Sequence, residues 1–327
     1  MPGYAQPQFA SLPPYASARP RARCGIAPHC PPRAVGDILA VAAMRGVAPA
    51  RRRCRPITDA DADPPWSFAM SSFARLIEEF DPAAGILPPP HWFQGRTVYG
   101  GLTAALALQA AIGSAPAGLP PLRAAQVAFV GPASGALRFR PRLLRQGKSS
   151  LSIDVDADSD GEPALRALFV FAAARASRVA HDFSQRPQVR PAGECPRLPM
   201  HELAPRFLGN FDVRLAGGSA PVSGAANPEF IAWVRHLDDE GVAPAVALVA
   251  LADALPPAAL ASFTEMAPVS SITWSFELFD PPAGRGWFLL RSFSQQAAHG
   301  YSVQDMDIWD ESGRRVLAGR QSVALYQ

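Results

Sequence analysis

The chain has 327 residues, 48% hydrophobic and 18% charged, which is enough apolar material for one large or two smaller packed domains. Its formal net charge of +3 comes from residues 1–69, where nine Arg face four Asp, so the remainder carries a slight acidic excess. This balance argues against a nucleic-acid partner. No uninterrupted apolar run is long enough to predict membrane insertion.

Residues 1–69 are rich in Pro, Arg and Ala and show no sustained periodicity, so we expect a disordered tail. An Arg-rich, acid-poor start resembles a transit peptide, but the many prolines oppose the amphipathic helix that such peptides need. Alternatively, translation begins at Met70, where well-patterned sequence starts, and the upstream residues are an overextended reading frame. In either case the packed protein is predicted to begin near residue 70.

The first predicted helix follows Tyr99-Gly100-Gly101, reads LTAALALQAA and has no polar face. A helix that is apolar all round must be buried on every side. Four strand-like runs with Gly, Pro and Asp/Ser turns between them follow at residues 124–130, 136–144, 151–157 and 164–173. This unit predicts an antiparallel sheet wrapped around a central helix.

The same pattern recurs about 145 residues later, which indicates a duplicated unit. The second helix reads VAPAVALVALADAL from residue 242, and strand-like runs follow at 269–279, 287–294, 301–309 and 315–325. We therefore predict an α+β double hot-dog, in which two long antiparallel sheets, each wrapped around a central helix, join edge to edge. The predicted domains are residues 70–185 and 205–327, with a linker at 186–204.

Motifs for common nucleophiles, nucleotides and metals are missing from the sequence, including G-x-S-x-G, G-x-G-x-x-G, the Walker loop, H-E-x-x-H and C-x-x-C. Only Cys195 lies outside the tail, which contains Cys24, Cys30 and Cys54. This spacing predicts no disulfide framework, no metal site and a reducing, cytoplasmic location. We expect no cofactor.

One carboxylate stands out, because Asp253 interrupts the second apolar helix. Burying an unpaired carboxylate in apolar surroundings costs free energy, so Asp253 either reaches a polar cavity or has a raised pKa. Both properties are common among functional acids. The alternative is a helix-end residue that points into solvent just before Pro256-Pro257. His299, beside a turn glycine, is the rival catalytic candidate, although we favour its interpretation as a solvated turn residue.

Six short motifs occur in a fixed order: RTVYGG at 96–101, FVGP at 129–132, QGKSS at 146–150, AD at 252–253, VSSIT at 269–273 and GRQS at 319–322. In this order they resemble the helix start, strand ends and site strands of the acyl-CoA thioesterase II family of double hot-dog enzymes. The resemblance extends from Phe73 to Leu325.

The resemblance implies that Asp253, Ser271 and Gln321 form a triad that activates water for direct attack, without an acyl-enzyme. The backbone amides near Gly100 and Gly101, at a helix N-terminus, are candidates for contacting the thioester carbonyl or a CoA phosphate, and we predict Tyr99 beside them as a substrate contact. The alternative is that these residues only form a tight strand-to-helix turn. Ser271 stands where the family has Thr, and Ser270 beside it leaves the register open by one residue. The Asp-His pair common after that Thr is missing, so the acyl group is not predicted.

The function that follows is hydrolysis of acyl-CoA to free acid and CoA, with acyl-CoA as the partner molecule. A non-catalytic acyl-thioester binder stays open. An enoyl-thioester hydratase would need a D-x-x-x-x-H run near a helix, and the sequence offers none there. The resemblance also implies a homodimer or larger oligomer. The charge-poor run at 124–128 is typical of an interface strand, and equally of a buried one.

Overall fold

The computed structural model describes residues 72–200, 204–279 and 285–327, so the predicted tail at 1–69 and the alternative start at Met70 lie outside the described residues. The described α-helices are α1 (Phe73–Glu78), α2 (Gly100–Ser114) and α3 (Pro244–Ala252). Short 3-10 helices occupy Pro90–Trp92, Ala192–Glu194, Arg206–Asn210 and Ala258–Ser262. Across these ranges we find no helix with the length and apolar character needed to cross a membrane.

Strands β1 (Phe93–Gln94) and β2 (Thr97–Val98) form a small hairpin before α2. The first half of the large sheet comprises β3 (Leu122–Phe129), β4 (Leu137–Gln146), β5 (Ser150–Ser159) and β6 (Glu162–Ala172). The second half comprises β7 (Phe211–Gly218), β8 (Glu229–His236), β9 (Val269–Leu278), β10 (Phe288–Ala298), β11 (Tyr301–Asp310) and β12 (Arg315–Leu325). Each of the eight predicted strands overlaps one of these, whereas β7 and β8 were not predicted.

The strands form one antiparallel sheet of ten, in the order β4-β5-β6-β3-β9-β12-β11-β10-β8-β7. The two halves join where β3 pairs with β9, for example at Gln126 opposite Ser275. Pro141, which has no N–H to give to a ladder, lies in β4 at the edge of the sheet, as expected for a strand proline. The predicted α+β double hot-dog, with its sheets joined edge to edge, is confirmed.

The two long helices are buried and pack against each other. Helix α2 lies against β4, β5 and β6, and α3 contacts β8. Their many alanines allow close approach, and each fully buried leucine contributes about 1.5–3 kcal/mol to folding. The Tyr99 hydroxyl donates to the Ala250 carbonyl at 2.9 Å, which joins the start of α2 to the last turn of α3.

One line of directly paired residues crosses the sheet on the face that the helices cover, and we call it the transverse row. Opposite residues of antiparallel strands share a face, so the pairing register alone defines it. From the β4 edge inward its members are Pro141, Val155, Ala167, Val127, Trp274, Gln321, Gln304 and Ser294. Every member except Pro141 is buried. The row therefore takes one inner-face residue from each of these strands, so the interiors of the two halves can be compared residue by residue.

Candidate active site

Asp253 is the C-cap residue of α3, directly after Ala252. A helix C-terminus carries partial negative charge, so this is an unfavourable place for a carboxylate unless other groups compensate. Two groups do so. The amide Nε2 of Gln321 donates to Asp253 Oδ1 at 2.6 Å, and the backbone N–H of Gly101 also hydrogen-bonds to the carboxylate. The residue as a whole retains partial solvent exposure, while its carboxyl group is buried.

Burial raises the pKa of Asp253 from 3.8 to about 7, because desolvation outweighs the hydrogen bonds from Gln321 and Gly101 that favour the ionised form. A carboxyl group with this pKa exists in both protonation states near neutral pH. Such a group can accept a proton and return it within one reaction cycle. Of the two outcomes expected for Asp253, a polar cavity or a raised pKa, the structure gives the raised pKa.

The start of α2 lies against this carboxylate. A Cβ atom on residue 100 would lie 2.9 Å from Asp253 Oδ2 and 3.3 Å from the ring of Phe129. A Cβ atom on residue 101 would lie 2.7 Å from the Ala250 carbonyl. Close approach of the second half of the chain therefore excludes a side chain at both positions, and at residue 101 the Tyr99 ring, 2.6 Å from such a Cβ, excludes it as well. The positive end of the α2 dipole also faces Asp253.

Ser271 lies on β9, next to the strand that carries Gln321. Its register partner is Val323, two residues beyond Gln321 on β12, and an irregularity at this point makes Ile272 the extra residue of β9. Ser271 therefore shares the inner face with Gln321, while Ser270, paired with Ala324, points the other way. The register favours Ser271 over Ser270. Among the described residues, no hydrogen bond joins the Ser271 side chain to Asp253.

Tyr99 lies wholly inside the core, where its ring stacks on Phe207 at a centroid distance of 3.9 Å. Its hydroxyl is already used by Ala250. This geometry suits holding the two helices together, so we carry only Gly100 and Gly101 forward as substrate contacts. Trp92 is also fully buried, and its ring lies 5.6 Å from that of Phe73.

His299, the rival catalytic candidate, is an exposed residue with φ of 54° in the turn between β10 and β11. The solvated-turn interpretation agrees with this position. Among the described residues, no group of three or more His, Cys, Asp or Glu side chains is placed to hold a metal ion.

Two residues at the site were not predicted to be functional. The ring of Phe129, at the end of β3, lies against the start of α2 and forms a wall beside Asp253. Gln304 on β11 donates to Gln321 Oε1 at 2.8 Å from a fully buried position. A sequence signal for Gln304 exists, because it shares strand parity with Met306 and Ile308 and so faces the core.

The arrangement brings together a carboxylate with a pKa near 7, an amide donor and a helix N-terminus, and the Ser271 hydroxyl lies on the same face of the sheet as the amide. These are the groups needed to deprotonate a water molecule and stabilise negative charge on a carbonyl oxygen. Asp253, Gln321 and Gly101 are in direct contact, and Gly100 adjoins them. The site is built from both halves of the chain.

Comparison with solved structures places this fold among hot-dog proteins. A conserved protein of unknown function with a hot-dog fold from Alicyclobacillus acidocaldarius is 24% identical with a TM-score of 0.66, covering 74% of this chain and 92% of that one. A tesB protein from Mycobacterium avium subsp. paratuberculosis is 17% identical with a TM-score of 0.61, covering 74% and 91%. An acyl-CoA thioesterase II from Mycobacterium marinum is 22% identical with a TM-score of 0.57, covering 70% and 89%.

At these identities the structures establish the fold alone, and no curated protein matches the chain. The family is established by sequence models of its two domains. Residues 88–172 match the acyl-CoA thioesterase N-terminal domain, and residues 190–325 match the acyl-CoA thioesterase C-terminal domain. Together these matches span most of the chain and meet at the site, since the first contains Gly100 and Gly101 and the second contains Asp253 and Gln321. The chain belongs to the acyl-CoA thioesterase family.

Proposed function

We propose that this thioester hydrolase cleaves acyl-CoA by direct attack of a water molecule that Asp253 activates. The observation that carries the proposal is the Asp253 carboxylate, which has a pKa of about 7 and is held by Gln321 Nε2 at 2.6 Å. A base with a pKa near the working pH combines a sizeable ionised fraction with enough basicity to take a proton.

In the proposed reaction, Asp253 takes a proton from the water molecule while the water oxygen bonds to the thioester carbon. Gln321 and Ser271 orient the water from the inner face of the sheet. The tetrahedral intermediate then collapses, the carbon–sulfur bond breaks with its electron pair on sulfur, and the CoA thiolate takes the proton back from Asp253. The products are free acid and CoA, and no acyl-enzyme forms.

The start of α2 supplies the charge stabilisation in this proposal. The Gly101 N–H is occupied by Asp253, so we assign the Gly100 N–H, one residue earlier, to the thioester carbonyl oxygen. A backbone donor at a helix N-terminus is well suited to the oxyanion because both its N–H and the helix dipole favour negative charge there. The hydrophobic wall at Phe129 would exclude bulk water from the reacting carbon.

The decisive experiment measures free thiol released from acyl-CoAs of increasing chain length with a thiol reagent. We expect thiol release that tracks enzyme concentration, with no acylated protein in mass spectra taken during turnover. An acyl adduct would contradict direct attack. Loss of an enoyl group without thiol would indicate the hydratase alternative, and binding without either reaction would indicate the non-catalytic binder.

We also propose a cytoplasmic homodimer or larger assembly, and the support is the family alone. The charge-poor run at 124–128 no longer favours an interface, because β3 lies inside the sheet between β6 and β9. Light scattering at micromolar concentration tests the assembly. A mass of one chain would contradict it.

A further inference from the structure

A chain of three hydrogen bonds leads away from Asp253 into the core of the second half. Gln321 Nε2 donates to Asp253 Oδ1 at 2.6 Å, and Gln304 Nε2 donates to Gln321 Oε1 at 2.8 Å. The backbone N–H of Ala258 donates to Gln304 Oε1 at 2.7 Å. The chain of bonds therefore ends on a main-chain group, at the start of the 3-10 helix Ala258–Ser262.

The main-chain end sets the direction of every bond in this chain. A backbone N–H can only donate, so the Gln304 oxygen must face Ala258 and its NH₂ group must face Gln321. Gln321 must then accept with its oxygen and offer its own NH₂ group to Asp253. The orientation of a glutamine amide is often ambiguous, but here the network allows one assignment.

We propose that Gln304 is a positioning residue that fixes the Gln321 amide with its NH₂ group toward Asp253 and so keeps the carboxylate ready to activate water. The inference rests on the proposed function of Asp253 and Gln321. It assigns Gln304 no contact with substrate.

The hydrogen bonds also close a ring with the chain itself. Asp253 and Ala258 belong to one short segment that runs from the end of α3 into the next 3-10 helix. Gln304 accepts directly from Ala258 at one end of this segment, and it is linked through Gln321 to Asp253 at the other end. The ring thereby fixes the distance between the carboxylate and strands β11 and β12.

Water is poorly placed to replace Gln304. Gln304 is 1% exposed and Gln321 is 2% exposed, so a lost partner would leave buried polar groups unsatisfied. Without Gln304, the Gln321 amide would be able to turn its oxygen toward Asp253. Two facing oxygens repel unless one carries a proton, so this orientation would favour the neutral carboxyl group, which cannot serve as a base.

The test is Gln304→Met, which keeps a similar side-chain volume and removes both hydrogen bonds. We expect kcat for acyl-CoA hydrolysis to fall by about tenfold or more, the scale of a misplaced reacting group, while KM changes little. We also expect the acid limb of the kcat–pH profile to move to higher pH, because the carboxylate has lost its oriented donor.

A merely structural role predicts a different result. If Gln304→Met lowers the melting temperature but keeps the wild-type kcat and acid limb, the inference is wrong. The inference is also wrong if kcat falls while the acid limb stays in place. That result would mean that the substitution disturbs packing and does not change the orientation of the Gln321 amide. In a Gln321→Leu background, Gln304→Met should cause little further loss of kcat, because the residue through which it acts is gone.

A readout independent of turnover separates this inference from the proposed function. The Asp253 carboxyl carbon can be titrated by carbon-13 NMR in wild-type protein and in Gln304→Met, and we expect a higher pKa in the variant. If wild-type protein releases no thiol, the proposed function fails, while the titration still decides whether Gln304 controls the carboxylate. An unchanged titration would overturn the inference.

Ser294→Ala is the matched control. Ser294 lies next to Gln304 in the transverse row and is also buried, but its hydroxyl bonds to Ser302 Oγ at 2.8 Å. We expect this variant to keep the wild-type kcat and pH profile. A loss equal to that of Gln304→Met would show that any polar deletion in this row disturbs the site, and would overturn the specific role of Gln304.

Discussion

The two halves of this chain share one fold and differ in the polarity of the side chains on the inner face of the sheet. Along the transverse row the first half presents only apolar side chains, whereas the second half presents an indole, two amides and a hydroxyl. The apolar members are Pro141, Val155, Ala167 and Val127, and the polar-bearing members are Trp274, Gln321, Gln304 and Ser294. In the second half a hydrogen-bonded network satisfies the two amides and the hydroxyl, whereas the indole N–H of Trp274 is buried without a hydrogen-bond partner.

The two central helices also differ in the group that each contributes to the site. Helix α2 offers the site its N-terminus, with two glycines and a positive dipole end, and α3 offers the residue at its C-terminus, Asp253. Each end is unfavourable or unsatisfied alone, since α2 has no side-chain cap of its own and α3 ends in a carboxylate. Their contact compensates both, because the Gly101 N–H donates to the Asp253 carboxylate.

The largest expected effect comes from removing the charge that the second half contributes. Asp253→Asn keeps the side-chain shape, and we expect kcat to fall by about 10² or more because the base is lost. Thiol release under saturating acyl-CoA measures this. Wild-type turnover at neutral pH in the variant would contradict the assignment of Asp253.

Next in size is the contribution of the first half. Gly100→Ala places a methyl group 2.9 Å from Asp253 Oδ2, so the carboxylate must shift, and we expect kcat to fall by roughly 10–10². Gly113→Ala is the control in the same helix, because its Cβ meets nothing within 4 Å. That variant should keep full activity and gain about 0.5–1 kcal/mol of stability. Equal activity losses in the two variants would mean that the helix start has no special role.

The pH dependence sharpens the electrostatic part of the comparison. Below the Asp253 pKa of about 7, kcat should fall about tenfold per pH unit as the base becomes protonated. A flat profile between about pH 5 and about pH 8 would contradict a base of this kind.

Stability should change in the opposite direction. The folded-state pKa of Asp253 lies above its ordinary value of 3.8, so the folded protein holds the proton more tightly than the unfolded chain does. The free energy of unfolding of wild type, relative to Asp253→Asn, should therefore decline as pH rises from about 4 to about 7 and stay level above that. At about 1.4 kcal/mol per pKa unit, the total is at most about 4 kcal/mol. Denaturant titrations across this pH range measure it.

The smallest effect on activity is expected in the apolar part of the row. Val155→Thr buries a hydroxyl where the first half supplies no network, so unfolding should become easier by about 1–3 kcal/mol. The kcat of the folded enzyme should stay unchanged, because Val155 lies on β5, away from the β3–β9 junction. A large loss of kcat at unchanged stability would show that the first half takes a direct part in the chemistry.

Much of the fold was predictable because the duplicated pattern is strong. Apolar helices and alternating strands recur in order, and eight strands were found near their predicted positions. Strand β8 was missed because Phe230 to Val234 are all buried, so the alternation that marks a strand is lost. One face of the strand contacts the 3-10 helix that begins at Ala258, and Ile231 and Trp233 pack with Ala192 and Cys195.

The site was predictable only in part. Asp253 is visible in sequence because a carboxylate breaks an apolar run, and the resemblance supplied Gln321. Gln304 was not singled out, because a polar residue in an amphipathic strand ordinarily marks the solvent face. Its role depends on the long-range partners Ala258 and Gln321, which only the folded chain reveals.

The contact between Gly101 and Asp253 also fixes how many sites one chain can have. A symmetric pair of hot-dog units would build two junctions, but the equivalent junction at the start of α3 lacks two parts. Pro244 stands in the place of Gly100 and has no N–H, and residues 109–117 after the middle of α2 contain no carboxylate. The groups that meet at Asp253 are therefore present at one of the two junctions and missing from the other. A non-hydrolysable acyl-CoA analogue should accordingly saturate at one molecule per 34.8 kDa chain.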